Sequence, residues 1–158
     1  MLNWEVISWS ELSRDDLYAI LALRAEVFVV EQDCPYQDVD GKDACSLHVV
    51  GRQSAGDGTG VMAYARIVVP GGVYAEPSIG RVVTSRAARG RGLGQQLMGR
   101  AIEACGLHFP GLPIRISAQA YLERFYFELG FVPTGKTYLE DNIPHLEMLR
   151  PVEHLGTA

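Results

Sequence analysis

The stretch that most limits how this chain can fold is Ile79-Gly80-Arg81-Val82-Val83-Thr84, followed closely by Arg89-Gly90-Arg91-Gly92-Leu93-Gly94-Gln95-Gln96-Leu97. The apolar, β-branched run predicts a buried strand, and the glycine-spaced run opens an amphipathic segment with Leu93, Leu97, Ala101, Ile102 and Cys105 on one side. Strand, glycine loop and helix together make a phosphate-binding arrangement. Glycines at every second position let backbone N–H groups approach a bulky anion, because no Cβ stands in the way. A helix starting near Leu93 adds unsatisfied N–H donors and the positive end of its dipole. Arg89 and Arg91 bring neutralising charge.

Charge supports an anionic ligand. The chain has 158 residues and a formal net charge of −5, so a nucleic-acid surface, which is normally basic, is not expected. Within that acidic chain, Arg81, Arg86, Arg89, Arg91 and Arg100 form a local concentration of positive charge. The length predicts one domain over residues 1–158, with enough material for a sizeable core. No apolar run reaches the roughly 18 residues a membrane span requires, and the first residues lack a basic-then-apolar signal, so a cytoplasmic protein with no membrane partner is expected. Cys34, Cys45 and Cys105 are widely spaced and lack a C-x-x-C pair. Free thiols are expected, with no zinc site or other metal.

The remaining elements follow from periodicity. Trp4 to Ser8 alternates as an edge strand, and Ser13 with Asp16 signals a helix start before Leu17, Ile20, Leu21, Arg24 and Phe28, predicting a helix from Arg14 to Val29. An acidic loop from Glu31 to Asp43 follows. Leu47 to Val50 and Val61 to Val69 predict a hairpin around the glycine-rich Gln53 to Gly60, and Ser78 to Thr84 the next strand. Ile114 to Ala118 is another strand, Gln119 to Leu129 a helix stopped by Gly130, and Phe131-Val132 and His145 to Leu149 the last strands. The order is β-α-β-β-β-α-β-α-β-β, an α/β (α+β) mixed sheet, mostly antiparallel, with helices on both faces. Arg24 and Arg66 interrupt apolar periodic segments, which predicts structural pairing with loop carboxylates.

Arg89-x-x-Gly92-x-Gly94 after a strand resembles the acyl-CoA pyrophosphate loop of the GNAT acetyltransferases. Leu122 to Phe131, an aromatic-rich helix ending in Gly-Phe, resembles that superfamily's second signature. Phe28-Val29-Val30-Glu31-Gln32, Cys34-Pro35-Tyr36-Gln37-Asp38 and Glu140-Asp141-Asn142-Ile143-Pro144-His145 are similar to its ElaA-like branch, so the resemblance covers nearly the whole chain. It implies a GNAT fold whose central strands, here Ser78 to Thr84 and Ile114 to Ala118, splay apart to admit the pantetheine arm. It implies cofactor contacts from Val82, Val83, Thr84, Arg89, Gly90, Arg91, Gly92, Leu93, Gly94 and Gln95. Gln119 sits near where many members carry an Asn that holds the same arm. The implied cofactor is acetyl-CoA, with coenzyme A as product, and the implied reaction is direct acetyl transfer to a primary amine.

Such a transfer needs a neutral amine, a stabilised oxyanion and a proton for the leaving thiolate. Tyr126 is the candidate acid, since a phenol remains protonated at neutral pH. The Val83 N–H can polarise the thioester carbonyl. For the base, Glu31, Asp38, Asp40, His48, Glu140, Asp141 and His145 are all available. Glu31 and His145 are favoured because their stretches border the acceptor side of the resembling fold, and other members of the family use a water chain. Tyr36, Asp38, Asp40, Glu31 and His48 are expected to form an acidic, aromatic-edged mouth for a cationic acceptor, a small molecule or a peptide amine. A homodimer is the default assembly.

Other motifs fail on context. Gly130-Phe131-Val132-Pro133-Thr134-Gly135-Lys136-Thr137 matches the Walker A pattern, but its first glycine closes a helix and Pro144 leaves no room for the helix that must follow. Gly90-x-Gly92-x-x-Gln95 lacks the third glycine of a dinucleotide site. Asp38-Val39-Asp40-Gly41 lacks the calcium-loop spacing. The remaining alternative is a module that binds acyl-CoA without transferring the acyl group.

Overall fold

The computed structural model describes residues 1–53 and 60–152. Residues 54–59 of the predicted glycine-rich turn, and residues 153–158, lie outside them. Strands β1 (Leu2–Ser8), β2 (Ser46–Gln53), β3 (Val61–Val68) and β4 (Ser78–Thr84) form one antiparallel sheet in that order, with β1 at the edge as predicted. Strands β5 (Ile114–Gln119), β6 (Val132–Glu140) and β7 (Ile143–Arg150) form a second, ordered β5-β7-β6. Among the described residues, no helix is long and apolar enough to cross a membrane.

Strand period sorts side chains onto two helical layers. Along β3, Ala63, Ala65 and Ile67 pack with Leu97, Met98, Ala101 and Cys105 of α2 (Leu93–His108). Tyr64 faces the other way, with Ile20 and Leu23 of α1 (Arg14–Arg24). Two-residue alternation therefore places helices on both faces. It also sends Arg66 to the α1 side.

Helix α1 begins as its cap signal requires: the Ser13 hydroxyl accepts from the Asp16 N–H at 3.0 Å. The segment continues beyond the predicted Val29 as a widened π turn over Ala25–Glu31. The third helix is shorter than its periodicity suggests. Gln119 stays in the ladder opposite His145, so α3 proper spans only Glu123–Glu128, after a tight turn at Ala120–Leu122. Gly130, at φ +95°, ends it, with the Phe131 N–H donating back to the Tyr126 carbonyl at 3.1 Å. The Walker-like run then enters strand β6, not a helix.

The expected single mixed sheet is divided at its centre. β4 and β5 start side by side, where the Arg115 N–H donates to the Pro77 carbonyl at 3.2 Å, but no ladder joins them further along. An extra residue in β4 shifts its register against β3, and Arg81 at that point takes φ +51°. Such a bulge bends its strand and leaves main-chain groups unpaired. It also switches facing: Ile79 packs on the α2 side and Val83 on the α1 side, although both occupy odd positions.

Candidate functional site

The glycine loop has the form of an anion cradle. Gly90 and Gly92 adopt φ +86° and +70°, and a Cβ at either would meet nothing within 4 Å. The first α2 hydrogen bond runs from the Gln96 N–H to the Gly92 carbonyl at 3.2 Å. Among the described residues, the N–H groups of Leu93, Gly94 and Gln95 have no backbone partner, as expected of a first helical turn. Open space over left-handed glycines, beside unsatisfied donors at a helix start, fits a diphosphate. Gly94 sits against α3, where an added Cβ would lie 3.6 Å from the Phe125 ring.

Below this loop, the gap between β4 and β5 opens into a cavity of about 940 Å³. Val82, Val83 and Thr84 line one wall, and Ser117, Ala118 and Gln119 the other. Tyr126 reaches it from α3, only 8% exposed, in edge-to-face contact with Phe125 and Phe131. Burial pushes the Tyr126 phenol up to about 12, helped by the neighbouring Tyr121. It is therefore a hydroxyl donor throughout the neutral range.

The carboxylates of the expected acidic mouth are paired with arginines, which offsets their charge. Asp38 accepts from Arg24 Nε at 2.8 Å and from the Tyr36 hydroxyl at 2.8 Å, and lies 2.8 Å from Arg81 Nε. Asp40 takes both Arg66 Nη groups, at 2.7 and 2.6 Å, and Arg81 Nη2 at 3.3 Å. Against the opposing effect of burial, the bonds from Arg66 and from the Lys42 N–H hold the Asp40 carboxyl far below its usual range. Arg24 also donates to Asp43 at 2.7 Å, so Arg24 and Arg66 have the structural role predicted for them. Tyr36 and Asp40 still line the cavity, the Tyr36 ring 5.5 Å from the Arg81 guanidinium.

Two further assignments change. His48 is fully buried, its Nδ1 2.7 Å from the Tyr64 hydroxyl and its Nε2 3.0 Å from the Asp43 carbonyl, and it does not line the cavity. It is a core histidine, not an acceptor contact. Glu31 is a poor base, because both its oxygens accept from Arg89, one through a very short bond and the other at 2.8 Å. That pairing holds the Glu31 carboxyl below its ordinary value. Arg89 also donates to the Thr84 carbonyl at 3.3 Å. The arginine cluster of the sequence is thus partly committed, with Arg81 and Arg89 in ion pairs and Arg100 beside Trp4 and Glu5, away from the loop. Arg91 is exposed next to Gly92.

His145 lines the cavity with Ser117, Tyr138 and Glu140, and alternation puts all four on one face of the second sheet. His145 Nδ1 is 2.7 Å from the Ile143 carbonyl, and Nε2 is 3.4 Å from Glu140 Oε2. The imidazole stacks on Tyr138 at 16° and 6.1 Å. Tyr138 and Ser117 share a very short hydroxyl contact, and the Ser117 hydroxyl donates to Glu140 at 3.3 Å. Sequence reasoning passed over Ser117 and Tyr138, and over Tyr74 and Tyr121, which also line the cavity. The available signal was Tyr138 and Glu140 at strand period just before Asp141-Asn142, a two-residue turn with φ of +51° and +62°.

Comparison with known proteins agrees with this geometry. The acetyltransferase (GNAT) domain profile matches residues 31–150. The chain is 45% identical to Protein ElaA of Escherichia coli K12 over 96% of its own length and 98% of that protein. Among solved structures, an acyl-CoA N-acyltransferase from Pseudomonas aeruginosa superposes with a TM-score of 0.89 at 44% identity, covering 95% of this chain and 99% of that one. Crystalline E. coli ElaA gives 0.86 at 44% identity, with the same coverage. Glycine cradle, divided sheet and near full-length similarity lead to one conclusion: the chain belongs to the GNAT acyl-CoA N-acyltransferase family.

Proposed function

We propose that the protein transfers an acetyl group from acetyl-CoA to a primary amine by direct attack within one ternary complex. The observation that carries this is the gap between β4 and β5. It is walled by residues of both strands, lined by Tyr126 and continuous with the polar face that carries Ser117, Tyr138, Glu140 and His145. Acyl-CoA supplies an activated thioester there. The loop N–H groups from Gly90 to Gln95, with the exposed Arg91, would hold its diphosphate, Arg89 contributing charge only on release from Glu31. The exposed edge of β4 at Val82, Val83 and Thr84 would take the pantetheine as an added strand, and Gln119 would border it from β5. The Ser85 N–H donates to the Met62 carbonyl, and the register pairing Val83 with Tyr64 turns the Val83 N–H to β3 as well. A Val82 or Thr84 N–H, facing the gap, would therefore be the one to stabilise charge on the carbonyl oxygen as it develops.

Tyr126 serves the leaving group. Its phenol, pushed up to about 12, is a weaker acid than a thiol at roughly 8.5, so it hydrogen-bonds a departing thiolate more readily than it surrenders a proton outright. A hydrogen bond to a charged group contributes roughly 1.5–3 kcal/mol. Tyr126→Phe should accordingly lower kcat by up to about 10²-fold with acetyl-CoA affinity unchanged. Steady-state kinetics beside calorimetric binding checks this, and an unaltered kcat moves the donor elsewhere.

The function itself is tested by incubating the protein with acetyl-CoA, a thiol reporter and a panel of amines. Amine-dependent thiol release is the expected result. Binding of acetyl-CoA without release on any acceptor would instead support a non-catalytic acyl-CoA module.

A further inference from the structure

We infer that Glu140 and His145 together form the seat of the acceptor's ammonium group and remove its first proton. The inference rests on the amine-acceptor reading above and deepens it. Its starting point is an unusual pairing. A carbonyl oxygen can only accept, so the 2.7 Å contact with Ile143 fixes the proton of a neutral His145 on Nδ1. Nε2 then carries the lone pair, with Glu140 Oε2 3.4 Å away but outside hydrogen-bond geometry, so two acceptors lie side by side with no hydrogen between them. An alkylammonium nitrogen fits between such a pair. It has three N–H groups, and a position about 2.8 Å from both atoms satisfies each at ordinary hydrogen-bond length.

The surroundings favour this placement. The carboxylates Asp38, Asp40 and Glu31 are each committed to arginines, whereas Glu140 has no cationic side chain within ion-pair distance except His145 among the described residues. Its side chain is 56% exposed, open to an incoming ligand. Ser117 donates to the same Oε2, leaving Oε1 free and setting the carboxylate's rotation. The stacked Tyr138 ring holds the imidazole plane. The tight Asp141-Asn142 turn fixes Glu140 opposite Ile143, two residues from His145. Lys136 and Asp141 are the other charged groups of this part of the cavity.

The proton balance is closed. The ammonium gives one proton to His145 Nε2 and becomes a neutral amine, hydrogen-bonded to Glu140. Its nitrogen bonds to the thioester carbon and the carbon–sulfur bond breaks. The second nitrogen proton ends on sulfur, and the imidazolium returns the first to solvent.

The test compares wild type, Glu140→Gln and His145→Gln in acetyl transfer to alkylamines and to methoxyamine, which is largely unprotonated at neutral pH. His145→Gln should lower kcat for the alkylamine by about 10²-fold, as loss of a general base does, and for methoxyamine by less than about threefold. Glu140→Gln should raise the alkylamine KM by about tenfold with kcat little changed. Unaltered alkylamine kinetics in both variants, or equal losses with both acceptors, would overturn the assignment. A second readout is independent of turnover: n-propylammonium chloride titrated into the protein with coenzyme A should shift the His145 ring resonances in wild type and not in Glu140→Gln. If no amine is acetylated by wild type yet the resonances shift, the transferase reading fails and the seat stands. If the resonances do not move in wild type, the seat is refuted whatever the activity.

Discussion

Replacing Arg24 by methionine should lower the thermal midpoint by roughly 6–12 °C while leaving the chain folded at room temperature. Arg24 is fully buried, joins Asp38 at 2.8 Å and Asp43 at 2.7 Å, and donates to the Asp38 carbonyl at 3.1 Å. Removing one partner of a buried ion pair leaves an uncompensated charge and costs about 3–5 kcal/mol. Here each carboxylate keeps a second arginine, Arg81 for Asp38 and Arg66 for Asp43, so the low end, about 3 kcal/mol, is expected. For a domain of this size each kcal/mol moves the midpoint by roughly 2–4 °C. A midpoint within about 2 °C of wild type would show that Arg66 and Arg81 suffice alone.

The same network sets an acid limit. Against burial, Arg24 and Arg66 hold Asp43 below its ordinary value, and Arg66 with the Lys42 N–H does the same for Asp40. Both groups are therefore more acidic folded than unfolded. Their stabilisation is complete above the unfolded value of roughly 3.9 and is lost as pH falls through the lower folded values. The gap between wild type and Arg24→Met should therefore narrow as pH drops below about 4, which denaturant midpoints across an acid series would show.

Gly92→Val should reduce acetyl-CoA affinity by more than about 100-fold while the domain stays folded. Gly92 sits at φ +70°, and an added Cβ meets no protein atom within 4 Å, so the substitution is not blocked by packing. A left-handed conformation costs a non-glycine residue roughly 1–2 kcal/mol, a midpoint loss of roughly 2–8 °C. The effect on binding is larger, because the branched side chain occupies the space through which a diphosphate approaches the α2 donors, and the strained turn re-aims those donors. Gly99→Ala, within α2 and also free of contacts, is the control, and should bind normally. Calorimetric titration decides the point. Normal affinity in Gly92→Val would remove the glycine loop from the cofactor site.

Periodicity and turn chemistry made much of the fold legible. Ser13 and Asp16 announced the start of α1, Gly130 the end of α3, and the strand-to-glycine-loop sequence the cradle before α2, because each depends on neighbours within a few residues. The extent of α1 was not legible: the π turn carries it to Glu31, where it meets Arg89, a contact between residues 58 apart in the chain. His48 and Asp38 were misjudged for a related reason. Their residue types suit a binding site, but partners from distant strands and helices absorb them.

By itself the sequence determined the order of elements, the glycine loop and the aromatic helix, since helix and strand periods and the freedom of glycine are local properties of the chain. Only the tertiary structure decided which charges remain free. A carboxylate such as Asp40 and one such as Glu140 look alike in sequence. Folding brings Arg66 and Arg81 onto the first and, among the described residues, His145 as the only basic side chain beside the second, 3.4 Å away. The bulge at Arg81 was equally hidden, because strand alternation predicts Ile79 and Val83 on the same face. One inserted residue places them on opposite faces, in a strand that stands apart from β5 where the cavity lies.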